Sequence, residues 1–154
     1  MRVCGVELKG NEAIVCLLAS SKGLYDLPDC RVRRLTLSKI DSREALQEFQ
    51  FAFAKLMEDY QVQKVAIRER QTKGKFSGGA VGFKLEAAIQ LIQSLDVELL
   101  SPSHIKGSVS YTPIPVRFAD TGLKPFQEVA FVTAYACLNP KPYVEEAVSD
   151  RAPK

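Results

Sequence analysis

The first third of the chain alternates short apolar runs with turn signals, a pattern typical of antiparallel strands. A valine-rich run at residues 1–8 ends in a Lys-Gly-Asn turn at residues 9–11, and a second apolar run covers residues 12–20. This spacing predicts a β-hairpin. After a second turn at residues 26–30, residues 32–37 mix apolar side chains with arginines and predict an exposed third strand.

Helical spacing replaces this alternation after residue 40. Asp41 and Glu44 predict a capping box at the start of a long helix. The buried face of that helix is marked by apolar side chains three and four residues apart: Leu46, Phe49, Phe53, Leu56, Met57 and Tyr60. We interpret this phenylalanine-containing stripe as core.

Two strand–helix units complete the pattern. Residues 64–70 predict a fourth strand and residues 97–100 a fifth, with an amphipathic helix at residues 81–95 between them. Residues 103–122 predict irregular structure with one helical turn, and a last helix begins at Pro125.

The predicted order β-β-β-α-β-α-β-α describes an α/β domain with a mixed five-stranded sheet and helices on both faces. The fourth and fifth strands are expected to run parallel to the first, through right-handed crossovers. We assign residues 1–138 to this domain and residues 139–154, which combine proline with mixed charge, to a C-terminal tail.

Composition narrows the class of protein without identifying a partner. The 154 residues are 46% apolar and 25% charged, which excludes collagen-like and disordered chains. The net charge is only +3, although residues 61–125 hold nine Lys/Arg against five Asp/Glu. This basic middle segment is a weak indication of an anionic partner, and solvated surface lysines explain it as well.

The same composition predicts a cytoplasmic protein that does not enter a membrane. No stretch approaches ~18 uninterrupted apolar residues, and the N-terminus lacks the apolar region of a signal peptide. The four cysteines are widely spaced, which favours reduced core residues over a disulfide framework or a zinc site. His104 is the single histidine, and we expect it to lie in a loop without chemistry.

Candidate chemistry lies where strands end, because ligands of open α/β sheets bind beyond the carboxyl ends of the parallel strands. Glu7 falls near the end of the first strand and Glu69 near the end of the fourth, while Glu128 lies in the first turns of the last helix. Converging carboxylates suit Mg²⁺ or Mn²⁺. Two such ions could activate water for phosphodiester cleavage, which makes these three residues candidate catalytic and metal-binding residues.

Each acid also has a structural explanation. Glu7 could reach solvent or pair with Lys9, and Glu128 could be stabilised by the helix dipole. Glu69 shares a strand face with Val65 and Ile67 and could be neutralised by the neighbouring arginines. Candidate phosphate contacts, which could equally be solvated surface charges, are Arg68, Arg70, Lys73, Lys75 and Lys106.

Five segments, in order, resemble RuvC-type Holliday-junction resolvases of the ribonuclease H-like superfamily. They are the opening strand at residues 1–7, the strand at 65–69, the glycine-containing helix start at 78–82, the proline-to-lysine segment at 100–106 and the last helix from residue 128. The resemblance implies a ribonuclease H-like fold and a small bacterial family within the superfamily. It also implies a Mg²⁺- or Mn²⁺-dependent nuclease acting through Glu7, Glu69 and Glu128.

The chain departs from the resolvase pattern at its acids. Glu7 and Glu128 stand where aspartate is expected, and aligning the strand at 65–69 puts Arg68 at the position of the catalytic glutamate. Two functions therefore stay open: a metal-dependent nuclease, and a catalytically inactive module that binds DNA, RNA or a protein. A sugar- or acyl-phosphate-binding domain is disfavoured because no phosphate-loop signature is present. The sequence leaves homodimer formation open.

Overall fold

A computed structural model describes residues 1–70 and 79–142, which form a mixed sheet with helices on both faces. The strands are β1 (Arg2–Lys9), β2 (Glu12–Ser21), β3 (Leu24–Asp26), β4 (Arg34–Thr36), β5 (Lys64–Arg68) and β6 (Val97–Leu100). The helices are α1 (Arg43–Asp59), α2 (Ala80–Gln90), α3 (Pro102–Tyr111) and α4 (Glu128–Leu138), with short 3-10 turns at Phe118–Asp120 and Pro125–Gln127. Lys73 and Lys75, and most of the expected tail, lie outside the described residues.

The sheet order is β3-β2-β1-β5-β6, and β4 also pairs with β2. The predicted hairpin is β1 with β2, and its turn contains Gly10 at φ 60°, a conformation that glycine adopts without strain. The predicted parallel arrangement is confirmed, since β5 runs parallel to β1 and β6 runs parallel to β5.

The predicted third strand at residues 32–37 corresponds to β4, and the short strand β3 that precedes it was not predicted from the sequence; the two strands pair with opposite ends of β2. β3 pairs with residues 19–21, whereas β4 pairs with residues 12–14. Pro28 lies between them and cannot donate a ladder hydrogen bond, which accounts for the break. The described sheet therefore has six strands where five were expected.

Side-chain alternation divides the core into two layers. Cys4, Val6 and Leu8 of β1 pack with α1 and α2 on one face, while Val3 packs with α4 on the other. Gly5 also faces α4, where an added Cβ would lie 2.0 Å from the Ala130 carbonyl oxygen. The helix can lie this close to β1 only because residue 5 has no side chain.

Two helix predictions were wrong in detail. The N-cap of α1 is Ser42, whose Oγ accepts the backbone N–H of Ala45, and not Asp41. The region expected to hold one helical turn contains the ten-residue helix α3, capped by Ser101 with Pro102 in its first turn. None of the helices within residues 1–70 and 79–142 combines the length and the apolar character needed to span a membrane.

Candidate functional site

Strand register aligns four residues across the carboxyl end of β1. Glu7 pairs with Ile14 of β2, and Ile14 pairs with Arg34 of β4. On the other side of β1, Val6 is the last residue that pairs with β5, opposite Ile67, and continuing this parallel register by one residue brings Arg68 next to Glu7. We call Arg34, Ile14, Glu7 and Arg68 the edge row.

The edge row lies on the α4 face of the sheet. Ile14 belongs to the core layer that packs on α4, and residues paired across adjacent strands point to the same face, which puts Glu7 on this side. Arg68 follows Ala66 by two residues, and Ala66 shares a buried cluster with Ala136 of α4. Arg68 itself is exposed.

Glu69 lies on the opposite face. It follows Ile67 by two residues, and Ile67 belongs to the layer of α1 and α2. The ladder continues through this position, because the Glu69 N–H donates to the Leu100 carbonyl at 2.8 Å. Burial raises the pKa of Glu86 on α2, and the charge of Glu69 raises it further, which agrees with Glu69 lying on the α2 side of the sheet.

Arg70 packs at the carboxyl end of the sheet, on the same α2 side as Glu69. Its Nη1 donates to the Leu8 carbonyl, and its guanidinium carbon lies 5.7 Å from the centroid of Phe83. The guanidinium lies directly over Gly82, where a Cβ would come within 2.3 Å of it. Because these contacts hold Arg70 within the protein, the structure gives it a structural role alongside its predicted phosphate contact.

Glu128 and Glu7 share a face of the sheet that Glu69 does not. Glu128 is exposed in the first turn of α4, and the adjacent Gln127 fixes that end by donating Nε2 to the Val15 carbonyl at 3.0 Å. In the described part of the chain, no three His, Cys, Asp or Glu side chains lie close enough to hold a metal ion. The structure does not bring the three predicted carboxylates together, because side-chain alternation along β5 puts Glu69 on the face of the sheet opposite Glu7.

These residues therefore do not fit a shared Mg²⁺ or Mn²⁺ site. A cation, Arg68, stands beside Glu7 where a second carboxylate would be needed. The catalytic roles of Glu7, Glu69 and Glu128 stay predictions.

The other predicted contacts lie near the neighbouring strand. Arg68 pairs with Leu100, the last residue of β6, and α3 follows directly. Lys106 is exposed on α3. His104 is also exposed on this helix rather than in a loop, and its backbone N–H donates to Ser101 Oγ at 3.0 Å.

Sequence reasoning missed a second group of cations. A groove of about 380 Å³ beside β4 is lined by Arg31, Val32, Arg33, Arg34, Lys124 and Phe126, and we call it the basic groove. The guanidinium carbon of Arg34 lies 4.4 Å from the Phe126 centroid. Arg31, Arg33 and Arg34, three arginines within four residues, were the available signal, but they lie outside the basic middle segment at residues 61–125.

A larger concavity, of about 420 Å³, lies near the other end of β1. Its lining includes Leu18, which pairs with Val3, together with Tyr25, Ile114 and Tyr135. The charged residues in its lining are Asp26 and Asp120, both acidic. This concavity is therefore unsuited to a phosphate group.

The fold is similar to that of RuvC. The Thermus thermophilus RuvC structure matches with a TM-score of 0.67 at 12% identity, covering 93% of this chain and 100% of that chain. The structure of T. thermophilus RuvC in complex with Holliday junction substrate matches with a TM-score of 0.58 at 13% identity, covering 93% and 99%. At these identities the likeness shows the fold alone.

Sequence comparison supplies the family. No curated protein sequence matches the chain significantly. Residues 1–137, which include every strand and nearly all of α4, match the family described as protein of unknown function (DUF3010). The chain belongs to this DUF3010 family.

Proposed function

We propose that this protein is a ribonuclease H-like, RuvC-like module that binds nucleic acid through the α4 face at the carboxyl end of its sheet, without cleaving it at a metal centre. The observation that carries this proposal is the parallel register of β1 and β5, which ends at Val6 and Ile67 and, continued by one residue, puts Arg68 beside Glu7 in the edge row. Arg68 is exposed, and Lys106 on the following helix is exposed as well.

The chemistry of this position favours a phosphate group over a metal ion. A guanidinium presents paired donors that match phosphate oxygens, and it remains charged at any physiological pH. The same charge repels a divalent cation approaching Glu7. A phosphodiester backbone could therefore bind here directly.

The partner class is supported by the likeness to RuvC, one structure of which is in complex with a Holliday junction substrate. The basic middle segment of the sequence, with a net charge of +4 over residues 61–125, agrees with an anionic partner.

Binding should depend on Arg68. We expect Arg68→Ala to weaken binding of fluorescein-labelled DNA or RNA roughly tenfold, because one charge-assisted hydrogen bond contributes about 1.5–3 kcal/mol. Arg68→Lys should recover part of this loss, since lysine keeps the charge and loses the fork of donors. Fluorescence anisotropy titrations with branched, duplex and single-stranded probes would measure it.

The matched control is Lys22→Gln, which removes an exposed cation from the turn between β2 and β3 at the other end of the hairpin. If Arg68→Ala binds every probe as tightly as the wild type, the proposed binding site is wrong.

The metal-dependent nuclease is tested in the same preparations. The proposal predicts that neither the wild type nor Glu7→Gln cleaves branched or single-stranded DNA or RNA in Mg²⁺ or Mn²⁺. Metal-dependent cleavage by the wild type that is lost in Glu7→Gln would contradict the proposal and support catalysis through the predicted carboxylates.

A further inference from the structure

The basic groove is only partly neutralised by nearby acids. Arg31 forms an ion pair with Asp59 at 2.8 Å, and Arg34 lies 3.7 Å from Glu12. Across the described part of the chain, neither Arg33 nor Lys124 has a carboxylate within ion-pair distance. Both are exposed, so these two cations are available to an anionic ligand.

The backbone that carries the arginines is fixed at several points. The Arg33 carbonyl accepts the Val15 N–H at 2.9 Å, and the Arg31 N–H donates to the Tyr60 hydroxyl at 2.8 Å. Arg34, which follows Arg33, is the first residue of β4, and β4 pairs with β2. Because the backbone is already ordered, binding an anion here costs only the ordering of side chains.

The basic groove continues into the edge row. Arg34 belongs to both, and three strand spacings separate it from Arg68, a distance of about 14 Å. Lys124 lines the groove just before α4, on the face where the edge row lies. One phosphate group cannot contact both ends of this line, whereas successive phosphates of one strand can.

We propose that Arg33, Arg34 and Lys124 form, with Arg68, one track for a single strand of nucleic acid that crosses the sheet from β4 to β5. This inference rests on the proposed function and extends the same site. A groove lined by cations is the arrangement that follows one phosphodiester backbone in proteins that bind single strands. Glu7 lies within the track, so the strand contacts the cations on either side of it.

The test reverses the two unpaired charges of the groove. We compare Arg33→Glu/Lys124→Glu with the wild type, using labelled single-stranded DNA and RNA of about 16 nucleotides. We expect at least tenfold weaker binding at about 50 mM salt. The slope of log K against log salt should also become shallower by about 1.4, because each lost contact to a single strand removes about 0.7.

Two further variants control for fold and for net charge. Arg33→Gln/Lys124→Gln removes the charges without reversing them and should weaken binding less, but by the same mechanism. Lys22→Glu reverses one charge, half of the change in the double variant, far from the track and should leave binding within about twofold of the wild type. Circular dichroism and thermal melting establish that each variant is folded.

The outcomes separate this inference from the proposed function. If Arg68→Ala weakens binding and the groove variants behave like Lys22→Glu, the track is wrong and the proposed site stands. If the wild type binds no nucleic acid, both are wrong.

Probes of different length and form test whether the ligand is a single strand. A dinucleotide or tripolyphosphate that binds as tightly as the long probe would overturn the track in favour of a site for one phosphate group. Duplex binding tighter than single-strand binding, with the same loss in the groove variants, would overturn the assignment to one strand.

Discussion

At the scale of single residues, one missing side chain sets the distance between the sheet and α4. A Cβ at residue 5 would lie 2.0 Å from the Ala130 carbonyl oxygen and 2.7 Å from the Ala134 nitrogen. Both atoms belong to the backbone of a buried helix and cannot move independently. The glycine two residues before Glu7 therefore has a packing reason as well as a resemblance to resolvases.

Gly5→Ala should destabilise the protein by about 3 kcal/mol or more, at or beyond the upper end of ordinary overpacking. Urea unfolding followed by circular dichroism would measure the loss. The control is Gly107→Ala, at a helical position of α3 where the nearest atom is 4.0 Å from the added Cβ. We expect that change to be neutral or to stabilise by about 0.5–1 kcal/mol. Wild-type stability in Gly5→Ala would contradict this account of the packing.

At the scale of elements, the start of α1 shows how tertiary structure chooses between adjacent signals. Asp41 and Ser42 are both good capping residues, and a glutamate follows Asp41 by three positions. The helix begins at Arg43, so Ser42 is the residue whose oxygen lies opposite a free N–H. The cap depends on where the helix begins, and the packing of Ala45 and Phe49 helps to set that point.

Ser42→Ala should therefore cost about 1 kcal/mol, the usual contribution of an N-cap hydrogen bond. Asp41→Ala, one residue earlier and exposed, should change stability by less than about 0.5 kcal/mol. Chemical denaturation midpoints at constant m-value would separate the two variants. Equal losses in both would indicate that Asp41 shares the cap.

At the scale of the whole molecule, the two core layers share the same central strands. Cys4 lies in the layer of α1 and α2, while Cys16 on the paired strand lies in the layer of α4. Burial raises the pKa of Cys16 to about 12 and holds that of Cys4 well above its usual range. Burial also raises the pKa of Cys30, although this thiol is only half-buried.

The rates of thiol labelling should reflect how deeply each cysteine is buried. The thiolate is the reactive form, and a raised pKa lowers its population at any pH below that value. We expect Cys30 to react first with a thiol reagent near pH 8, and Cys4 and Cys16 to react together only when the whole domain unfolds. Cys30→Ser should remove the fast phase. Labelling of Cys16 well before Cys4 in mild denaturant would show that the α4 layer opens separately.

The sequence by itself determined the hairpin, the long amphipathic helix and the parallel crossovers, because periodicity and turn residues act over short stretches of chain. It also showed that Glu69 shares a face with Val65 and Ile67. It did not reveal β3 or the full length of α3. It did not determine on which face of the sheet Glu7 lies, because β1 has apolar residues on both faces and its pattern does not distinguish them.

Only the tertiary structure decided what surrounds Glu7. Register between segments distant in sequence sets Arg68 on one side of it and, through Ile14, Arg34 on the other. Alternation along β5 puts Glu69 on the face of Ile67, which packs in the layer of α1 and α2. Pairing register depends on the packing of whole layers and not on local preference, so three carboxylates that follow the resolvase order along the chain do not converge in space.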